Sequence, residues 1–386
     1  MKPVLACVAF FAYAVSGFAQ TPAAPPITQL FTFYCEHSYS YCPRGFQPAL
    51  GPVQLSDGNF YGTTWYGDTN ASAGGTVWQA TLSGDVHALY TFTANGSGDY
   101  VDGSAPAIGL AAGANGNLYG ITETGGAQDS GVFYSLTTGG SQQVLYNFCS
   151  LAGCADKAAP IVLGGDGNFY GITTSLVFRL TPEGVWSEIY NFNFPSTNEG
   201  VELIAGTDGN LYGISFSHPF QTIAQASVFR LTTAGVYTAL HTFPKLDRVS
   251  ALTQSASGTL YGVFSGTKSG IFQINSAGQF KVLQNTAKGA FPPTQLVVGS
   301  DGNLYGLIVN SSAYPPYPGS VFAVSAQGKT IFSEELNCAT VGCQPLSLME
   351  ANDGNFYGLT PVGGTAPHGD TPNGTIFKVA TGLKGR

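Results

Sequence analysis

The chain has 386 residues, with 52 Gly, 26 Phe and 20 Tyr, but only 9% charged residues. Long surface helices need many more Lys, Glu and Arg than this, so the composition excludes an α-rich protein and suits a turn-rich β protein. The formal net charge is −8 with 14 Lys and Arg. No basic stripe exists, so nucleic acid and anionic membrane surfaces are excluded as partners.

The N-terminus reads as an export signal over residues 1–19. Lys2 is a minimal basic region, residues 4–15 form an apolar core, and Gly17, Phe18 and Ala19 precede a cleavage point. That core is too short to favour a spanning helix, and no second apolar segment of membrane length follows. Residues 20–26, rich in Pro and Ala, are a spacer. The expectation is a secreted, periplasmic or cell-surface protein with no membrane insertion.

From there one short phrase organises the chain: Asp-Gly-Asn-(Leu/Phe)-Tyr-Gly. It occurs at 57–62, 166–171, 208–213, 301–306 and 353–358, with degenerate copies at 115–120 and 257–262. The steps between successive copies are 58, 51, 42, 49, 44 and 52 residues, a period that marks an array of supersecondary units. One unit parses cleanly from its alternation and turn residues: strands at 250–254, 260–264, 270–275 and 280–284. Third strands recur at 76–82, 132–137, 177–181, 228–232, 321–325 and 375–379. Fourth strands recur at 86–92, 143–148, 186–192, 236–243 and 329–334. Seven units of four antiparallel strands predict an all-β, seven-bladed β-propeller over residues 27–380.

The seventh unit lacks a fourth strand, and residues 381–386 are a tail without an apolar run. The segment Gln29–Cys35 resembles 144–149. The first mature strand is therefore expected to complete the last blade, with residues 30–34 beside 376–379, leaving no unpaired edge.

In the repeated phrase, Asp-Gly favours a tight hairpin because Gly accepts positive φ and Asp caps its own turn. The Asn is expected to add a second position tolerant of left-handed geometry. The Tyr should pack between blades, with its hydroxyl needing a partner, and the final Gly should permit close backbone approach. Calcium is the rival reading for Asp57, Asp166, Asp208, Asp301 and Asp353. Each phrase offers one carboxylate where calcium wants six to eight oxygens, and Asn115 and Ser257 replace Asp while Gly and Tyr persist. No metal and no cofactor is expected.

Six cysteines form three close pairs: Cys35/Cys42, Cys149/Cys154 and Cys338/Cys343. Three local disulfides in an oxidising compartment is the reading. A zinc site has no support, since the Cys-x-x-Cys spacing is absent.

The phrases Asp-Gly-Asn-Leu-Tyr-Gly, Gly-Thr-Val-Trp (75–78), Val-Phe-Arg-Leu-Thr (228–232) and Val-Leu-Tyr-Asn-Phe (144–148) resemble the GloVer-type tandem repeat of exported bacterial proteins. That resemblance covers roughly residues 29–380 and implies a secreted or surface-displayed protein, often carried by a variable C-terminal anchor. It implies no known activity and no catalytic residues. More distantly the turn is similar to those of streptogramin-lyase and sensor-kinase propellers, a likeness of fold only.

Loops joining strands 2–3 and 4–1 emerge on one face of such a fold. They vary widely here, with long stretches at 65–75, 215–226, 310–319 and 361–374, and variable loops on a rigid scaffold carry function. That face bears Tyr39, Tyr41, Trp65, Tyr66, Asp68, Glu123, His218, Phe220, Tyr314, Tyr317, His368 and Asp370. The expected ligand set within it is Trp65, Tyr66, Asp68, Glu123, His218, Tyr314, Tyr317, His368 and Asp370. Exposed aromatics beside carboxylates suit a glycan or protein ligand bound by a monomer; the bland alternative is that these rings pack the loops onto the blades.

Catalysis has weaker support. No Gly-x-Ser-x-Gly elbow, His-Glu-x-x-His or phosphate-binding loop occurs. Glu334 and Glu335 would point to opposite strand faces. His87 and His241 are expected to be solvent-exposed on fourth strands. The expected function is a non-enzymatic binding scaffold. The alternatives are a polysaccharide lyase or hydrolase using His218 or His368 with Asp370 or Glu123, and a structural envelope protein.

Overall fold

A computed structural model describes residues 25–35, 42, 44–67, 74–106, 109–148, 160–173, 175–192, 198–217, 225–244, 248–266, 268–286, 292–310, 317–366 and 370–382. It is an all-β, seven-bladed propeller. Blade 1 pairs a first strand in two pieces (Phe46–Pro48, Val53–Gln54) with Phe60–Tyr66, Thr76–Ala80 and Val86–Thr91. Blade 2 is Leu110–Ala112, Leu118–Ile121, Val132–Leu136 and Gln142–Asn147; blade 3 is Val162–Leu163, Phe169–Ile172, Leu176–Leu180 and Trp186–Asn191. Blade 4 is Asn198–Ala205, Leu211–Ser217, Gln225–Leu231 and Tyr237–Thr242; blade 5 is Arg248–Gln254, Leu260–Ser265, Gly270–Ile274 and Phe280–Asn285. Blade 6 is Pro293–Val298, Leu304–Val309, Gly319–Val324 and Thr330–Glu335. Blade 7 is Ser347–Glu350, Phe356–Thr360 and Thr371–Val379, completed by the N-terminal Ile27–Cys35. First strands of neighbouring blades touch one another, so they line the centre of the ring.

The ring closes as the sequence predicts. Ile27 pairs with Val379, Phe31 with Ile376 and Thr32 with Thr375. Side chains explain why this strand substitutes for a fourth strand. In blades 1 to 4 the Phe just past the outer strand packs on the third-strand aromatic of the next blade: Phe92 on Tyr134, Phe148 on Phe178, Phe192 on Phe229 and Phe243 on Phe272, with ring centroids 5.2–6.2 Å apart. Phe33 does the same to Trp78 of blade 1, at 5.6 Å.

The hydrophobic interior is a set of seven wedges between blades, each holding a motif Tyr and the motif Leu or Phe of the next blade. Tyr305 stacks on Phe356 at 4.0 Å, Tyr119 meets Phe169 at 4.3 Å and Tyr357 meets Phe60 at 4.6 Å. The second strands are therefore buried on both faces, which is why they read as an unbroken apolar run rather than an alternation.

Each phrase anchors its own tyrosine. Asp57 accepts the Asn59 backbone N–H on Oδ1 (3.0 Å), and on Oδ2 the Asn59 side-chain amide (3.0 Å) and the Tyr61 hydroxyl (2.6 Å). Asp166, Asp208, Asp301 and Asp353 hold Tyr170, Tyr212, Tyr305 and Tyr357 likewise. In the degenerate copy, Asn115 donates to Tyr119 instead. The Asn role differs from the expected one: left-handed φ falls on the glycine (Gly58, +82°), and the Asn acts through its amide. Burial raises the Asp57 carboxyl, but the hydrogen bonds from Tyr61 and Asn59 outweigh it and leave it below the usual carboxylate range.

The phrase's last glycine faces a third-strand aromatic in every blade: Trp78, Tyr134, Phe178, Phe229, Phe272, Phe322 and Phe377. The ring lies flat across it. A Cβ on Gly171 would stand 2.2 Å from Phe178 Cζ.

Strand boundaries shift modestly from expectation where hydrogen bonding extends a strand into an expected loop. Trp65, Tyr66 and Ser215–Ser217 are strand rather than loop, and the last strand starts at Thr371 rather than residue 375. Cys35–Cys42 and Cys338–Cys343 are disulfides, with Cα atoms 4.2 and 4.8 Å apart. Cys149 and Cys154 lie outside the described residues, as does the expected signal segment. Among the described residues no helix is long and apolar enough to cross a membrane.

Alanine normally stabilises a strand relative to glycine by about 0.5–1 kcal/mol. Gly171→Ala should do the opposite, losing about 1–3 kcal/mol because the Phe178 ring cannot be displaced without strain. Urea unfolding of the purified variant checks the sign.

Candidate functional site

The 2–3 and 4–1 connections share one face. Trp65 and Tyr66 end the second strand of blade 1 and are exposed (38% and 41%), so they supply aromatic surface there. Phe46, on the adjacent first strand, stacks on Tyr66 at 4.8 Å and 18°. Glu123 lies beside the bridge between Ser104 and Thr124 in blade 2, half-buried, with its backbone N–H bound to Ala105 O. Tyr317 precedes the third strand of blade 6, half-buried, and its carbonyl accepts Gln344 N–H. Asp370 is half-buried just before Thr371–Val379. These side chains come from four different blades. Among the described residues no hydrogen bond, ion pair or ring contact joins Trp65, Glu123, Tyr317 and Asp370 to one another. Asp68, His218, Tyr314 and His368 lie outside the described residues, as do Tyr39, Tyr41 and Phe220.

His241 departs from the expected exposure. It is half-buried, stacked on Phe280 at 4.1 Å and 5°, and burial lowers its pKa, so it is a packing residue. His87 is exposed.

A second feature of the same face had no place in the sequence reading. The leading halves of the first strands of blades 5 and 6 form, with Glu202 of blade 4, a cavity of ≈ 320 Å³ at the channel wall. Its lining is Glu202, Val249, Ser250, Ala251, Leu252, Thr294, Gln295 and Leu296. These first strands carry bulges, between Gly200 and Glu202, Ser250 and Leu252, and Pro293 and Gln295, the one in blade 5 displaced by one residue relative to the other two. In blade 5 the extra residue is Ala251 at φ +58°, a strained conformation for alanine. The bulge releases the Leu252 N–H from the ladder, and it donates to Glu202 Oε1 at 3.0 Å. Thus a backbone defect in one blade holds a carboxylate of its neighbour.

Glu202 is set apart by environment as well as charge. Lost hydration pushes its carboxyl up to about 7, against the Leu252 N–H, which pulls it down. Gln295, on the blade 6 wall, turns its amide to blade 7, donating through Nε2 to Leu348 O at 3.3 Å, while its Oε1 is buried without a hydrogen-bond partner. The signal was present in the sequence. Eleven residues before the last motif glycine stand Gly51, Gly109, Pro160, Glu202, Ala251, Gln295 and Ser347, and Glu202 alone is charged.

The family model described as the Gloeobacter/Verrucomicrobia repeat matches residues 25–218 and 200–384. The chain belongs to that family. No curated protein matches it. Solved structures resemble the chain in fold. A streptogramin B lyase is 15% identical over 93% of this chain and 99% of its own, with a TM-score of 0.58. A catalytically inactive virginiamycin B lyase from Staphylococcus aureus with quinupristin is 14% identical over 92% and 98%, also at 0.58. A prolyl endopeptidase structure is 11% identical over 86% of this chain and 50% of its own, at 0.54. At these identities the likeness is one of fold.

Glu202 makes stability pH-dependent. Its folded pKa lies above the ordinary 4.5, so the native state holds the proton more tightly. The resulting stabilisation is complete at acid pH and is lost as pH rises from 4.5 through 7. Glu202→Gln removes that slope. Between pH 4.5 and pH 8 the variant should gain on the wild type by on the order of 1–2 kcal/mol, allowing for water in the cavity. Urea unfolding at both pH values measures it; parallel curves would mean that Glu202 titrates ordinarily.

Proposed function

We propose that this protein is an exported, monomeric, non-enzymatic propeller that binds an extracellular ligand through its variable-loop face, at the mouth of its central channel. A glycan, a cell-wall component or a protein fits the reading. The observation that carries it is Glu202: a desolvated carboxylate kept beside an open cavity, where every equivalent repeat position is uncharged. Such a group costs stability and a purely architectural ring has no use for it. Exposed Trp65 and Tyr66 on the same face add aromatic surface for contact. The two disulfides support export into an oxidising compartment.

A second reading is a polysaccharide lyase or hydrolase. A carboxyl with a pKa near 7 suits a general base at neutral pH, and Glu202 is then the acting group.

Purified full chain should be retained by one or more members of a panel of bacterial and plant polysaccharides and cell-wall fragments, with no product released. Glu202→Ala should weaken retention at least tenfold. Product formation that disappears in Glu202→Gln would replace the binding reading with the enzymatic one, and no retention by any member would leave an envelope structural role.

A further inference from the structure

We infer that Asn95 is a self-modifying site: Gly96 displaces its side-chain amide, and hydrolysis leaves aspartate or isoaspartate in the connection between blades 1 and 2. The inference is independent of the binding reading above. Asn-Gly is the dipeptide that favours this chemistry, because glycine offers the attacking backbone nitrogen with no side chain in the way. It occurs three times here, at Asn95, Asn115 and Asn373. The fold treats the three differently.

Asn95 opens an exposed turn. The Ser97 and Asp99 backbone N–H groups both donate to its Oδ1, at 2.8 and 3.0 Å. To reach those groups the side chain folds over the Asn95–Gly96 peptide. The two donors polarise the amide carbonyl and face the oxygen on which negative charge develops during attack. Among the described residues no hydrogen bond engages Gly96 N–H or Asn95 Nδ2, so nucleophile and leaving group are both unrestrained. At the second copy the Gly116 N–H donates to Gly113 O at 3.0 Å, and Asn115 Nδ2 donates to the Tyr119 hydroxyl at 3.0 Å. At the third, Asn373 is buried and the Gly374 N–H donates to Gly363 O at 3.3 Å. Asn275 heads a turn like that of Asn95, its Oδ1 accepting the Ala277 and Gln279 N–H groups, but the residue after it is Ser276, whose side chain hinders attack.

The reaction needs only water. The Gly96 nitrogen gives its proton to solvent base and bonds to Asn95 Cγ. The Cγ–Nδ2 bond then breaks, and Nδ2 takes up a proton and leaves as ammonia, which completes a succinimide ring. Water adds to either ring carbonyl. Breaking the new Cγ–N bond gives aspartate; breaking the original backbone C–N bond gives isoaspartate. Either product adds one negative charge to the face that carries the variable loops.

The test is incubation of the full chain at pH 8 and 37 °C in heavy-oxygen water, folded and, in parallel, unfolded in guanidinium chloride, with peptide mass spectrometry over time. In the folded chain Asn95 should take up solvent oxygen at least tenfold faster than Asn115, Asn373 or Asn275. Its rate should be no lower than in the unfolded chain, whereas Asn115 and Asn373 should slow at least tenfold on folding. Gly96→Ala should cut the Asn95 rate at least tenfold, and a Cβ at Gly96 meets nothing within 4 Å, so the variant keeps its fold. A rate at Asn95 that folding lowers overturns the inference, and this comparison needs no variant. An equal or faster rate at Asn115 in the folded chain overturns it too, as does an unchanged Asn95 rate in Gly96→Ala.

Discussion

Everything in this ring depends on one contact repeated seven times: a motif tyrosine wedged against the Leu or Phe that opens the second strand of the next blade. The tyrosine is held at both ends. Its ring is buried by the neighbour, and in five blades its hydroxyl is bound by the aspartate of its own turn. The turn therefore does two jobs with one residue. Asp57 closes the hairpin through the Asn59 N–H and sets the direction of the Tyr61 side chain. Since the interior consists of inter-blade wedges rather than one central core, no blade can bury its apolar faces alone. The aromatic ring that covers each motif glycine completes the wedge and explains why no Cβ is present there.

The architecture was legible because every blade repeats the same solution, so that a signal too weak in one copy is read seven times. The closure was legible because Phe33 belongs to a segment resembling the fourth strands elsewhere. The part played by Asn59 was not, because a propensity for left-handed geometry says nothing about which neighbouring side chain an amide will meet. His241 was misread for a similar reason: an outer-strand position looks solvent-facing until Phe280, on the outer strand of the next blade, stacks on it. The site was hardest. Of the loop-face residues singled out from the sequence, those described, Trp65, Tyr66, Glu123, Tyr317 and Asp370, stand on four blades. Glu202 sits inside an ordinary-looking strand, and only comparison of equivalent positions across repeats exposes it.

The channel-mouth cavity shows how a repetitive scaffold acquires a singular point. The bulged backbone of the first strands is shared architecture, but its consequences depend on the side chain that occupies each equivalent position. Where that position holds Ala251, the bulge turns an N–H toward the neighbouring blade. In blade 4 the corresponding residue is Glu202, which stays paired with Ile214 just after its own bulge and brings a carboxyl to the cavity. Chemistry is thus introduced by substitution at one register, leaving the wedges that carry stability untouched.

The joint between the first and last strands has a consequence for how such a chain matures. Gln29 binds Thr365 across 336 residues of sequence, and closing a loop of that length costs about 5 kcal/mol in chain entropy. The outer edge of the last blade is covered only when both ends of the chain are present, so the ring cannot seal before the C-terminal segment is available. Until it does, the open edges of the first and last sectors face whatever surrounds the emerging polypeptide, and a second chain in the same condition offers matching edges.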